Sequence, residues 1–595
     1  MKAVTYWIAT GMLAMLASEA VNAGAAYRVG PDCTFATIQE AVDAIPFQGT
    51  GIIRIVTGTY NESVFIDSMN VQLIGGHSDC TTTEPNSLSS ISAAGTGLPV
   101  VRFRQLSSLA EPSRDLHLTN LFLVNGTGTD AGTIPYPGGG LSVWTNPDRI
   151  ANVHLDIVAL SFNSSEYEGG GIAVLGDGSG TVVIDSSTIT RNAVSGVSPR
   201  GGGVFCEGDY SIFMVGGAIT HNDSGTDGGP FGHGGGLYLD GCDFTWLTEG
   251  ASSPDDGELG FNTAYGNGGG LYATGGSEVV LLGAHADMLT STRPLRIQNN
   301  RAMAGAPSGK GGAIYAIGTD TSVTVGRGWM HDNYASRYGG AVSVEDFAGV
   351  LVDRDWRLCH HPRKCSRIFN NHAENGGGAV FAWPDGSVAI RRTMVEDNTT
   401  GTSGPIEVRG VLAARDQGVI FLLDSLMHGA VGAGFAIAIE NAGAIMNSST
   451  IADTESLAIF GVMGEPELRI NGSIIHETGS IAMAQQTGPL SLESVFTVNC
   501  LISHSDDFSA LPGASITRAE VNDPEFVDRT NDLYYLRPGS PAINYCSALF
   551  PDPGVDIDWN SRGISHSGQP DVHGPFDLGA YEFPLQIFSD RFESP

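Results

Sequence analysis

The chain reads as all-β, a single right-handed parallel β-helix solenoid, and three observations point there. A Gly-Gly-(Gly/Ala)-aliphatic unit recurs eight times, beginning at Gly138, Gly169, Gly201, Gly234, Gly268, Gly311, Gly339 and Gly377. Self-similarity at a spacing of roughly 20 to 50 residues marks solenoids and arrays. After each unit the apolar residues fall at every second position, the pattern of a short strand with one buried face. Beyond the N-terminal region no segment carries a helical amphipathic pattern, so helical crossovers are excluded. One strand per repeat, joined by turns, packs by coiling: each strand pairs in parallel with its counterpart about 4.8 Å above. The right hand is expected because parallel crossovers take it. At roughly 30 residues per turn the rod has about 15 to 18 rungs and a length on the order of 80 Å.

Residues 1–23 stand outside that rod. Lys2, the apolar run Val4 to Ala17 and the small residues around Ala23 form the charged, apolar and small parts of a secretory signal peptide. No other stretch is apolar enough for a transmembrane helix. Residues 24–100 are read as an N-terminal cap and first rungs, and 101–415 as Gly/Asn-rich rungs with loop insertions. In the latter Leu141, Ile172, Val204, Leu237, Leu271, Ile314, Val342 and Val380 point inward, and so do the residues two places on. Asn163, Asn192, Asn222, Asn262, Asn300, Asn333, Asn371 and Asn398 precede the corners. Asn tolerates the left-handed turn conformation, and its amide can hydrogen-bond to itself along a stack. Residues 416–515 continue as plainer rungs, opened by Asp424-Ser-Leu-Met, Asn447-Ser-Ser-Thr-Ile, Asn471-Gly-Ser-Ile-Ile and Asn499-Cys-Leu-Ile. A C-terminal capping segment, 516–583, and a tail, 584–595, complete the division.

Composition bounds the partners. With 64 acidic against 30 basic residues the net charge is −34, which argues against nucleic acid and anionic membranes. Eight cysteines agree with export, and pairing by proximity gives Cys33 with Cys80, Cys206 with Cys242, Cys359 with Cys365 and Cys500 with Cys546, one of many connectivities that eight cysteines allow.

Cys33-Thr-Phe-Ala-Thr-Ile-Gln-Glu-Ala-Val, followed by Ile52 to Val64 with Gly58-Thr-Tyr-Asn-Glu62, resembles the N-terminal cap and first rung of pectin lyase-like β-helices. The glycine units resemble the repeat of polymorphic outer-membrane proteins. Asn522-Asp-Pro-Glu-Phe526, Leu536-Arg-Pro-Gly-Ser-Pro-Ala-Ile543, Asp556-Ile-Asp-Trp-Asn-Ser-Arg562 and Asp577-Leu-Gly-Ala-Tyr-Glu582 resemble the ending of bacterial choice-of-anchor β-helix proteins. Ile587-Phe-Ser-Asp-Arg-Phe-Glu593 is similar to short terminal tails of secreted Gram-negative proteins. The resemblance implies a protein exported to the extracellular space or outer membrane of a Gram-negative bacterium, and it covers nearly all of the mature chain.

The enzymes among such relatives act on pectin, and their motif sets are incomplete here. Gly58-x-Tyr60-x-Glu62 matches the opening motif of pectin methylesterases, without the segments that carry that family's aspartates and arginine. Gly232-His-Gly234 matches a polygalacturonase motif, but Asp255 and Asp256 follow His233 instead of preceding it, so His233 reads as a loop histidine. Asp353 and Asp355 beside Arg354 and Arg357, and Glu396-Asp397 beside Arg391-Arg392, read as solvated charges because neither pair recurs at one phase on neighbouring rungs. His360 and His361 would need outside ligands to hold a metal. No catalytic residue, metal site or cofactor is therefore assigned.

One feature suggests binding. Phe205, Tyr238, Tyr272 and Tyr315 lie between the two inward positions on four consecutive copies and so form an outward strip, read as exposed. Such a strip either stabilises the sheet as a ladder or offers stacking faces to sugar rings. The expected function is a non-catalytic, adhesin-like or glycan-binding rod, monomeric, with a polysaccharide or cell-surface glycan as partner. The alternative is a divergent polysaccharide lyase or glycoside hydrolase, favoured if three or more carboxylates converge on an Arg, Lys or His.

Overall fold

The computed structural model describes residues 26–583 except 106–112, 129–136, 230, 249–256, 284–293, 304–306, 354–365, 404–407, 430, 433–434, 455–458, 463–465, 477–494, 506–513, 548–553, 559 and 565–572. Among the described residues three sheets of 28, 13 and 10 strands run along the chain with parallel pairing between their strands, and a fourth, two-stranded sheet, Phe526–Asp528 with Leu533–Leu536, is antiparallel. The molecule is a parallel β-helix.

One rung shows how it is made. Val204–Glu207 belongs to the 13-stranded sheet, Asp209–Val215 and Ala218–Thr220 to the 28-stranded sheet, and Asp223–Ser224 to the 10-stranded sheet. Each pairs with its counterpart one rung on: Val204 with Leu237, Ile212 with Phe244, Ala218 with Glu258, Asp223 with Thr263. The apolar row predicted to face inward does so, from Leu141 to Val380, within one core that reaches from Val29 to Leu501.

The corners explain the glycines and asparagines. Gly234 has φ +64°, and a Cβ there would lie 2.2 Å from the Leu237 carbonyl oxygen, so only glycine fits. At Gly235 a Cβ would meet the Gly269 oxygen of the next rung at 2.4 Å. The asparagines form a buried ladder: Asn192 Nδ2 donates to Asn222 Oδ1, Asn222 to Asn262 and Asn262 to Asn300, each at 3.0 Å. The ladder runs from Asn163 to Asn398. Beyond it serines serve a neighbouring corner, with Ser425 and Ser449 donating backbone N–H groups to the hydroxyls of Ser449 and Ser473.

At the N-terminal end the short helix Ile38–Asp43 carries a capping box between Thr37 and Glu40. The disulfides Cys33–Cys80, Cys206–Cys242 and Cys500–Cys546 are formed as expected from proximity. Cys359 and Cys365 lie outside the described residues, as do His360, His361, Asp255, Asp256 and the signal-like N-terminus. No helix among the described residues is long and apolar enough to cross a membrane.

The C-terminal segment lies along the flank of the last rungs. Its Phe526, Tyr534, Leu536, Ile557 and Leu578 pack on Leu426, Ala452, Ile474 and Ile502 of the rod, making a second apolar core. Arg562, with its side chain fully buried, pins the segment: its guanidinium reaches Asp424 Oδ1 at 3.2 Å and donates to the Gly579 carbonyl at 2.8 Å.

Candidate functional site

The aromatic strip is built, but its exposure is corrected. Phe205, Tyr238, Tyr272 and Tyr315 stand on successive strands of the 13-stranded sheet, facing away from the main core. Phe205 and Tyr315 are 0% and 3% exposed, Tyr238 is 7% exposed and Tyr272 is half-buried. Their centroids follow one another at 5.5, 4.8 and 5.0 Å, so the faces between successive rings are taken by neighbouring rings. A covering row supplied by the residues before the glycine corners closes the outer side. Arg200 lies over Phe205 and Tyr238, His233 packs on Tyr272, and Lys310 pairs with Glu345, which also accepts from the Tyr315 hydroxyl. The strip is therefore not the exposed platform that the alternation predicts, with only Tyr272 partly open to solvent. His233 belongs to this cover: its Nδ1 accepts from the Asn267 N–H at 3.0 Å, and burial, helped by Arg200, lowers its pKa to about 4.

The convergent polar groups lie elsewhere, on the second, shorter strand that each rung gives the 28-stranded sheet. In Gly328–His331, Arg367–Phe369, Met394–Glu396 and Leu426–His428 a central apolar residue enters the core (Met330, Ile368, Val395, Met427) and its neighbours face out. The register stacks His331, Phe369, Glu396 and His428 in one column, and Trp329, Arg367, Met394 and Leu426 in the next. The following turn residues, Asp397, Gly429 and Asp453, all have positive φ and present their side of the corner in line.

Where the C-terminal segment crosses this column a cavity of about 340 Å³ opens. The rod supplies Arg367, Glu396, Asp397, His428 and Asp453, and the crossing segment supplies Arg529, Asp532 and Tyr534. Arg367 is paired with Glu396. His428 Nε2 stands 3.8 Å from Glu396 Oε1, and its Nδ1 stands 3.8 Å from Asp532 Oδ1. Arg529 holds Asp453 at 3.2 Å, and the Tyr534 hydroxyl donates to the same carboxylate at 2.9 Å. The Tyr534 ring packs 5.1 Å from the imidazole.

The electrostatics divide the two adjacent carboxyls of the rod. Burial opposes ionisation of Glu396, but contacts with His428 and Arg367 more than offset it and hold its pKa at about 2. Asp397, exposed at its corner, is raised from its ordinary value by partial burial first, with Glu396 and Asp532 adding to the rise against His428. One carboxyl is thus fixed as an anion while its neighbour gains proton affinity, the arrangement that acid–base chemistry requires. Burial also raises the Tyr534 hydroxyl, so it stays a neutral donor.

Three polar atoms of the cavity wall make no hydrogen bond among the described residues: Arg367 Nε, Glu396 Oε1 and His428 Nε2. Glu396 Oε1 and His428 Nε2 are buried, and the 3.8 Å between them is too long for a hydrogen bond. A hydroxyl oxygen about 2.8 Å from each would donate to the carboxylate and accept from the imidazole N–H. Among the described residues no three His, Cys, Asp or Glu side chains are arranged to hold a metal ion.

The sequence reading missed this site. Glu396 is not a solvated charge: it is 5% exposed and tied to Arg367. Asp353, read the same way, is 3% exposed between Arg391 and Arg392. The available signal was phase, because Phe369, Glu396 and His428 each follow the inward residue of their strand by one place.

No protein-family model and no curated protein matches the chain. Among solved structures, a pectin methylesterase from Aspergillus niger is similar in two deglycosylated forms, each at 15% identity over 56% of this chain and 84% of that one. The TM-scores are 0.24 and 0.22, too low to bear on fold or activity; the fold assignment stands on the strand register itself.

Proposed function

We propose that the protein is an exported, glycan-binding β-helix whose binding site is the cavity between the rod and the C-terminal segment. The observation that carries this is the buried pair Glu396 Oε1 and His428 Nε2, which face each other at 3.8 Å without a hydrogen bond and are spaced to be bridged by one hydroxyl. A buried polar group left unmet costs about 1–3 kcal/mol, which a ligand hydroxyl restores. The cavity is lined by charged and hydrogen-bonding side chains, and its arginines are already neutralised by Glu396 and Asp453. An uncharged polyol therefore fits better than a polyanion, in keeping with a net charge of −34. The signal-like N-terminus and the disulfides support an extracellular or outer-membrane location in a Gram-negative bacterium, with a cell-surface, adhesin-like role.

A second reading has its own support. Glu396, Asp532 and Asp453 gather around His428 and Arg529, and Asp397 has raised proton affinity beside ionised Glu396, as a divergent glycoside hydrolase or lyase would need. A panel of soluble polysaccharides assayed together for retention and for released products separates the two. Retention without products supports binding alone, products abolished by Asp397→Asn support the enzyme, and neither retention nor products overturns both.

A further inference from the structure

The unmet groups do not stop at the cavity. Trp329 Nε1, Arg367 Nε, Glu396 Oε1 and His428 Nε2 are buried atoms without a hydrogen-bond partner among the described residues. They stand on four successive strands of one ladder. Buried orphan polar atoms are uncommon in folded proteins, and here Trp329 and Arg367 stand in one column and Glu396 and His428 in the next, so the four mark a path that crosses from one column to its neighbour between Arg367 and Glu396. At about 4.8 Å per rung the path is on the order of 15 Å long. Arg367 adds a flat surface, its guanidinium lying 4.1 Å over the Phe369 ring and 5.7 Å from that of Trp329.

The two ends of the path differ. Below Glu396 the column continues through half-buried Phe369, His331 and Gln298. Above it the C-terminal segment closes the column: Tyr534 lies on His428, Ala452 is 0% exposed, and Phe526 packs edge-on against His476. A ligand seated between Glu396 and His428 can extend along the rod in one direction only.

We infer that the site takes the end of a linear, uncharged, polyhydroxylated chain, its terminal residue between Glu396 and His428 and its body running over Arg367 towards Trp329. This rests on the glycan-binding reading above and adds direction and end-specificity to it. A surface that gripped the middle of a chain would be open at both ends, and this one is blind at the C-terminal side.

The test uses the full mature chain with dextran, soluble β-glucan and galactomannan, each offered intact and after sonication at equal mass. End recognition predicts that the molar capacity for the bound polysaccharide rises in proportion to the number of chain ends. Capacity that follows mass instead overturns end recognition while leaving glycan binding in place, and no retention on any of the three overturns the binding reading itself. Two variants test the direction. Glu396→Gln is expected to abolish binding of every ligand length, down to the disaccharide of the retained polymer. Trp329→Phe keeps the ring, removes the N–H, and is expected to weaken oligosaccharides of four or more residues by roughly 2- to 10-fold while leaving the disaccharide unchanged. Equal effects of Trp329→Phe on both lengths, or none on either, overturn the path along the rod. Thermal unfolding of each variant verifies that the fold is retained.

Discussion

Leu237 and Tyr238 are neighbours with opposite surroundings. Leu237 sits in the main core and Tyr238 in the aromatic stack outside it, and neither is open to water. Leu237→Asp buries an unpaired carboxylate and is expected to cost several kcal/mol. Tyr238→Ala removes a ring held between Phe205 and Tyr272 and is expected to cost about 3 kcal/mol, where a solvent-facing ring would cost almost nothing. Chemical denaturation of both variants checks this, and a negligible effect of Tyr238→Ala would mean that the covering row is not closed in solution. Glu396 gives a second prediction. Its folded pKa, about 2, lies below the ordinary glutamate value of 4.5, so the stability from its ionised contacts is present above about pH 4.5 and lost as pH falls through about 2. Wild-type protein should therefore lose stability on acidification across that window, and Glu396→Gln should lose less, in denaturation curves taken at a series of pH values.

At the scale of the element, the asparagine ladder links every glycine-rich rung to the next. Asn262 donates to Asn300 and to the Ile219 carbonyl, and accepts from both the side chain and the backbone N–H of Asn222. Asn262→Ala strands several buried groups and is expected to cost roughly 2–4 kcal/mol. Asn398 ends the ladder, accepting twice from Asn371 and donating to the Ile368 and Glu396 carbonyls, so Asn398→Ala is expected to cost about as much as the interior substitution in the same denaturation assay. This element was legible in the sequence because its signal is local and repeated: one asparagine, one glycine corner and one alternating strand per rung. The fate of the aromatic strip was not. Period-two alternation says that Tyr238 leaves the main core, but the cover comes from Arg200, His233 and Lys310, which have no shared residue type to mark them as a row. The cavity was half legible. Phase arithmetic places Glu396 beside His428, whereas Asp532 and Tyr534 arrive through a packing event between distant parts of the chain that no periodicity encodes.

For the whole molecule the docking of the C-terminal segment decides whether the cavity exists, since Arg529, Asp532 and Tyr534 form one of its walls. Docking centres on fully buried Arg562 among Asp424, Glu582, Asp556 and Asp577. Burial raises Asp424 to about 7 in spite of Arg562, and it raises Asp556, Asp577 and Glu582 as well. The folded state thus binds protons more tightly than the unfolded one, so the contribution from Asp424 is fully present below the ordinary carboxylate pKa, about 4, and is lost as pH rises through about 7. Hydrogen exchange of the backbone amides between Asp556 and Glu582 should quicken, relative to the rod, as pH passes that point, after correction for the intrinsic rate. Arg562→Met removes the central cation and is expected to release the segment, with the 3–5 kcal/mol typical of breaking a buried ion pair, about half or more of a domain's net stability.

Cys500–Cys546 closes a loop 46 residues long between the last rungs and the C-terminal segment, and Arg529, Asp532 and Tyr534 lie inside it. Tension pulling on the chain beyond Glu582 loads the docking contacts of Arg562 and Ala580 first; once these give, it enters the rod through the sulfur bridge at Cys500 and bypasses the loop between the two cysteines. The wall formed by Arg529, Asp532 and Tyr534 therefore carries no load along the chain while the bridge is intact.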